Sequence, residues 1–167
     1  MRRIILLGLL CGVVLLTGGL PAAAQGVKAE VFTGGSFSRT EGTNFGGWNA
    51  SITGNMLPWL GVTADFSGLH NSPFSISTYT FGPRLAVPQD SGVVPFTQAT
   101  FGAARLKSGG ISDTGFGAYI GGGLDWIARD YLAIRLMQLD AQLMRIGGNN
   151  LSGTRISFGV VFRLGQR

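Results

Sequence analysis

The chain has 167 residues, with 13 Lys and Arg against 8 Asp and Glu, a single Cys and 28 glycines. One cysteine excludes a disulfide framework and a thiolate metal site, a formal net charge of +5 dispersed along the chain is no footprint for nucleic acid, and glycine without a Gly-X-Y period excludes collagen. A single domain remains, with many tight turns or a crowded interior that only small residues fit.

Arg2 and Arg3 precede an apolar run from Ile4 to Leu16, and Thr17 to Pro21 then lead to Ala22, Ala23 and Ala24. A charged start, an apolar stretch shorter than the ~20 residues of a spanning helix and an A-x-A site predict a secretory signal peptide over 1–24, cut between Ala24 and Gln25. Cys11 lies inside this leader behind Leu9 and Leu10, not in a lipoprotein box. The mature domain is then 25–167. Beyond the leader no apolar run reaches helix-spanning length, so a membrane crossing must use strands.

Eight stretches of the mature chain alternate with a period of two, which places successive side chains on opposite faces of a strand. The first, near 27–37, sets Val27, Ala29, Val31, Thr33 and Phe37 against Lys28, Glu30, Gly34 and Ser36, with Phe32 an exception on the polar side. The second, near 46–56, sets Trp48, Ala50, Ile52 and Met56 against Asn49, Ser51, Thr53 and Asn55. Leu60, Val62, Ala64 and Phe66 oppose Thr63, Asp65 and Ser67 near 60–69, and Tyr79, Phe81, Leu85 and Val87 oppose Thr78, Thr80 and Arg84 near 77–87. The fifth, near 94–106, is irregular, and Gln98 and Thr100 are assigned inward. In the sixth, near 115–126, Phe116, Ala118, Ile120, Leu124 and Trp126 oppose Gly117, Tyr119, Gly121, Gly123 and Asp125.

The seventh stretch starts with Leu132, Ile134 and Leu136 outward and Arg135 inward, but Gln138, Asp140 and Gln142 have the parity of the outward set. Alone, Tyr131 to Ile146 reads equally well as an amphipathic helix. As one member of a regular series it is a strand, and a β-bulge near Met137 would return the polar residues to the interior. The last stretch, Thr154 to Leu164, is the clearest: Thr154, Ile156, Phe158, Val160, Phe162 and Leu164 oppose Arg155, Ser157, Gly159, Val161 and Arg163.

An even number of strands, each with an apolar face, predicts an all-β, eight-stranded antiparallel up-and-down transmembrane barrel. A soluble ligand-carrying barrel of lipocalin type has the same strand count but would put apolar residues inside. The charges here share parity with glycine and small polar residues, as a crowded lumen demands. The inward set therefore collects Lys28, Glu30, Asp65, Arg84, Asp125, Arg135, Asp140, Arg155 and Arg163 as an interior ionic network. Gaps at 57–59, 88–92 and 127–130 are short and predict periplasmic turns, with Trp59, Trp126 and Tyr131 as an interfacial girdle. Gaps at 38–44, 70–75, 107–114 and 147–153 are longer and predict outer loops.

Phe81-Gly82-Pro83-Arg84, Pro95-Phe96 through Phe101-Gly102-Ala103-Ala104-Arg105, Gly121-Gly122-Gly123-Leu124-Asp125, Ala133-Ile134-Arg135 with Gln138 and Asp140, and Gly159-Val160-Val161-Phe162-Arg163 together carry a family likeness. On them the mature chain resembles the OmpA-like or OmpX-like small outer-membrane β-barrel proteins of Gram-negative bacteria. The resemblance implies an outer-membrane location, lipid and lipopolysaccharide as surroundings, and an assembly signal on the last strand. Phe162, with Phe158, matches that signal, although Leu164 to Arg167 follow it. A monomer is expected, with no nucleic-acid partner.

No chemistry of catalysis, cofactor or metal binding is predicted. The only histidine, His70, could imitate a catalytic site with Asp65 or Ser72, but a base needs an orienting partner. Gly115-Phe116-Gly117 fails as a dinucleotide fingerprint, because Ile120 stands where the last glycine belongs.

Overall fold

A computed structural model describes residues 27–87 and 91–165. The leader and the Ala24–Gln25 bond lie outside these residues. Eight strands follow in order: β1 (Ala29–Thr40), β2 (Thr43–Asn55), β3 (Leu60–Asn71), β4 (Phe74–Ala86), β5 (Val93–Ser108), β6 (Ile111–Arg129), β7 (Leu132–Ile146) and β8 (Asn149–Leu164). Each pairs antiparallel with its neighbour, and β8 closes on β1 from Ala29 opposite Leu164 to Thr40 opposite Gly153. Closure leaves no free edge, so every strand's backbone groups find partners without water.

The parity read from the sequence is the parity of the wall. Trp48, Ile52, Phe81, Phe101, Ile120 and Phe158 stand exposed on the outside, while Asn49, Asp65, Arg84, Gln98, Thr100, Asp125 and Arg155 are buried within. This is the reverse of a soluble ligand-carrying barrel. The seventh stretch is a strand, with its irregularity where the alternation breaks: Arg135 pairs Gly159 and Gln138 pairs Ser157. Leu136 and Met137 between them both face outward, which turns Gln138, Asp140 and Gln142 into the lumen.

The expected outer loops need correction. At the end of the barrel opposite the start of β1 and the close of β8 (the terminal end), hereafter the far end, the strands run on to two-residue turns. Glu41-Gly42, Gly109-Gly110 and Gly147-Gly148 all have positive φ, as the mirror-image hairpin turns require, and the fourth hairpin turns at Ser72-Pro73. Residues read as loop, such as Arg39, Lys107, Ser112 and Ser152, are strand residues.

The 19 residues of β6 span roughly 48 Å along the barrel axis at ~3.3 Å per residue and ~40° of tilt. An apolar band is only ~25 Å tall. The surplus forms a collar at the far end whose outer face carries Arg39, His70, Ser75, Ser77, Arg105, Lys107, Ser112, Thr114 and Arg145. Inside that collar Phe45, Leu69, Ile76, Ala104, Met144 and Ile146 form a buried apolar cluster, with Leu106 and Leu151 packed on it. Polarity is thus inverted relative to the wall below.

Candidate functional site in the barrel lumen

Long charged side chains from non-adjacent strands meet across the lumen because the glycines and hydroxyl residues between them leave space. Nearest the terminal end, Arg84 on β4 pairs with Glu30 on β1 and, through Nη2 at 2.8 Å, with Oδ2 of Asp125 on β6. Arg135 on β7 donates from Nε to Asp125 Oδ1 at 2.8 Å and from Nη2 to Oδ2 at 3.0 Å. Asp125 therefore holds two guanidiniums. Both lie against Phe96, whose ring centroid is 4.2 Å from Arg84 Cζ and 4.4 Å from Arg135 Cζ, and Arg135 also covers Phe32 at 4.2 Å. An aromatic face attracts a cation that has lost its water, so the rings complete a shell that hydrogen bonds alone leave open.

A second layer follows. Arg135 Nη1 donates to Gln138 Oε1 at 2.7 Å, and Gln138 Nε2 donates to Asp140 Oδ2 at 2.8 Å. The same carboxylate oxygen accepts from Arg155 Nε and Nη2, and Arg155 Nη1 reaches Asp65 Oδ1 at 2.9 Å. Asn49 Nδ2 donates to both oxygens of Asp65, while Tyr119 lies 4.4 Å beneath Arg155 Cζ. Hydrogen bonds from Ser38 and Thr40 to Gln142 Oε1 form a third layer, and the apolar cluster of the collar lies beyond.

Seven of the nine residues assigned to the interior network are brought together, and two are not. Lys28 is exposed at the terminal end, where its methylenes run past Gly165. Arg163 is only partly buried, and its Nη1 donates to the carbonyl of Asp130, at 3.4 Å. Both have the inward parity, but they lie at the rim, where a long cation reaches water instead of a carboxylate. The network consequently has three guanidiniums against four carboxylates, not a cation excess. The surplus negative charge sits lowest, since Glu30 keeps 16% of its side chain exposed.

The glycines of β6 make room, though not for arginines directly. A Cβ at Gly123 would stand 2.9 Å from Phe96 Cζ, and one at Gly121 would stand 2.6 Å from Asp140 Oδ1. At both positions the Cβ would meet the β7 backbone first, at the carbonyls of Met137 and Leu139, so these glycines allow close approach of β7 as well as of the ring and the carboxylate that hold the arginines. Phe32, an exception to the alternation, and Phe96, in the irregular fifth stretch, belong to the site because their rings lie against the guanidiniums, and sequence reasoning lacked their role. Asn49 and Gln138 were legible only as inward polar residues; their bridging role needs cross-lumen geometry.

The remaining assigned residues are placed as follows. Trp59 in the β2–β3 turn, Trp126 near the end of β6 and Tyr131 in the β6–β7 turn are exposed at the terminal end. Phe158 and Phe162 face outward on β8, and Phe158 stacks on Phe37 at 6.3 Å between centroids. Of Asp65, His70 and Ser72 only the last two meet, with Ser72 Oγ 3.3 Å from His70 Nε2 on the outside, while Asp65 is buried in the lumen. All four carboxylates of the network are engaged by guanidinium groups.

A closed eight-stranded wall with aromatic residues outside and paired charges inside defines the small outer-membrane β-barrel fold. Among solved structures, that of Neisserial surface protein A superposes with a TM-score of 0.73 at 13% identity, covering 82% of this chain and 97% of that one. The N-terminal barrel domain of OprF from Pseudomonas aeruginosa gives 0.61 at 14% identity, covering 84% and 100%. A de novo designed transmembrane β-barrel gives 0.51 at 11%, covering 84% and 99%. These likenesses show the fold; that a designed barrel shares it separates fold from activity. No protein-family model matches the chain, and no curated protein matches it.

Proposed function

We propose that the protein is an integral outer-membrane barrel, exported behind a signal peptide cleaved between Ala24 and Gln25, that serves the envelope structurally or by presenting its far-end surface. It is neither an open pore nor an enzyme in this reading. The observation that carries it is the continuous lumen chain from Glu30 through Arg84, Asp125, Arg135, Gln138, Asp140 and Arg155 to Asp65. An ion entering would have to displace guanidiniums already neutralised, then cross the apolar cluster of the collar, which disfavours water. Trp59, Trp126 and Tyr131 act as the periplasmic girdle, and Phe158 and Phe162 as the assembly signal on β8. Lipid and lipopolysaccharide surround the wall of a monomer.

The test is recording of the heat-modifiable, folded protein in planar bilayers, alongside alkaline carbonate extraction of native membranes. Retention in the membrane pellet with no steady unitary conductance is expected. Ion-selective steps that disappear in an Arg84→Ala/Arg135→Ala/Arg155→Ala variant would show the lumen to be a pathway.

A further inference from the structure

On the outer face of β4, β5 and β6 the register builds a small lattice. One row across the strands is Ser75, Lys107 and Ser112; the row below it is Ser77, Arg105 and Thr114. Two cations thus stand one above the other on β5 with a hydroxyl on each side. Directly beneath come Tyr79, Ala103 and Phe116, then Phe81, Phe101 and Ala118, with Phe81 and Phe101 in contact at 5.0 Å between centroids. The change from hydroxyl or cation to aromatic takes one step of two residues on β4 and β6 and two such steps, through Ala103, on β5. Ser75, Lys107, Ser112 and Arg105 line a concavity together with Pro73 and the β5–β6 hairpin.

Among the described residues neither cation is neutralised. Arg105 Nη2 donates to Ser112 Oγ at 2.9 Å, and among the described residues no carboxylate pairs with Arg105 or Lys107. Asp113 has the opposite parity on β6, across from Leu106. Same-face neighbours on one strand are ~7 Å apart, a separation that lets a guanidinium and an ammonium converge on one phosphate. The guanidinium supplies a planar fork and the lysine a mobile point charge. Hydroxyls on both sides add donors, and the aromatic rows offer a surface for acyl chains.

We propose that this face of β4–β6 binds the anionic, phosphate-bearing headgroup of a membrane lipid, with Arg105 and Lys107 on the phosphate and the acyl chains against Tyr79, Phe116, Phe81 and Phe101. The proposal rests on the wall standing in lipid and is independent of whether the lumen conducts. Its test uses the folded mature protein in neutral detergent, titrated with dioleoyl phosphatidic acid, with phosphatidylcholine of the same chains, and with inorganic phosphate, and read by native mass spectrometry. Saturable one-to-one binding of phosphatidic acid, at least tenfold weaker in Arg105→Gln/Lys107→Gln and retained in Arg39→Gln on the opposite side, is expected. Lys107→Gln alone should give an intermediate loss, and folding of each variant is checked by its cold-gel migration. Equal binding by the double variant, an equal loss in Arg39→Gln, equal binding of phosphatidylcholine, or displacement of the lipid by equimolar inorganic phosphate would each overturn it. Bilayer recordings of the double variant should match wild type, which keeps this result separate from the fate of the closed lumen.

Discussion

Strand β3 carries both halves of the molecule within six residues. Asp65 is buried and Phe66 faces outward, yet at the far end Leu69 is buried and His70 faces outward. Backbone and parity are unchanged; only the polarity of the two faces has exchanged. The lower wall is built for lipid outside and paired charge inside, whereas the collar is built as a water-facing barrel with an apolar core. A strand reads its surroundings through polarity, not through parity.

The largest expected effect lies in the lower half. Asp125→Ala leaves Arg84 and Arg135 without their shared carboxylate and should cost about 3–5 kcal/mol in equilibrium urea unfolding. Glu30→Gln, which removes the surplus negative charge from the most exposed member while keeping an acceptor for Arg84, should cost under about 1 kcal/mol. If these two prove equal, the network does not have the charge inventory described.

In the collar the buried residues should behave as an apolar core. Leu69→Ala is expected to cost about 3 kcal/mol by loss of burial and creation of a cavity, measured in the same unfolding assay. The outer faces sharpen the contrast on one strand. Ala64→Arg, in the lipid band, should cost ~2–4 kcal/mol, while His70→Arg, six residues along with the same parity, should stay within about 0.5 kcal/mol. Equal penalties would place both residues in one environment and erase the boundary.

The smallest effect is a pH-dependent tie between hairpins. Glu41 accepts from the Ser152 backbone amide at 2.8 Å and from its hydroxyl at 3.0 Å, and the amide bond first, the hydroxyl second, holds the carboxyl below its ordinary range. Because the folded value is lowered, the tie is complete above the ordinary carboxylate value and is lost as pH falls through the lower one. The Ser152 amide resonance should therefore shift as the pH is lowered, with a midpoint below that of a free glutamate. In Glu41→Gln that titration should vanish.

Much of the lumen was legible because alternation assigns a face to every residue once strands are assumed. Asp65, Arg84, Asp125, Arg135 and Arg155 needed nothing more, and Asp140 needed only the bulge at Leu136 and Met137, which announced itself as a break in phase. The collar was not legible by the same rule. Arg39, His70 and Lys107 interrupt an apolar outer face and so read as loops, although they continue strands whose outer solvent has become water.

By itself the sequence determined the strand number, the parity of each strand and the inward placement of the network's charges, since a period of two leaves each side chain only two directions. The tertiary structure decided which of those charges meet. Lys28 and Arg163 have the right parity and the wrong height, while Phe32 and Phe96 have an unexpected polarity and the right place beside two guanidiniums. Height along the barrel depends on strand tilt and on the registers of all eight pairings together, and no single stretch of sequence contains that information.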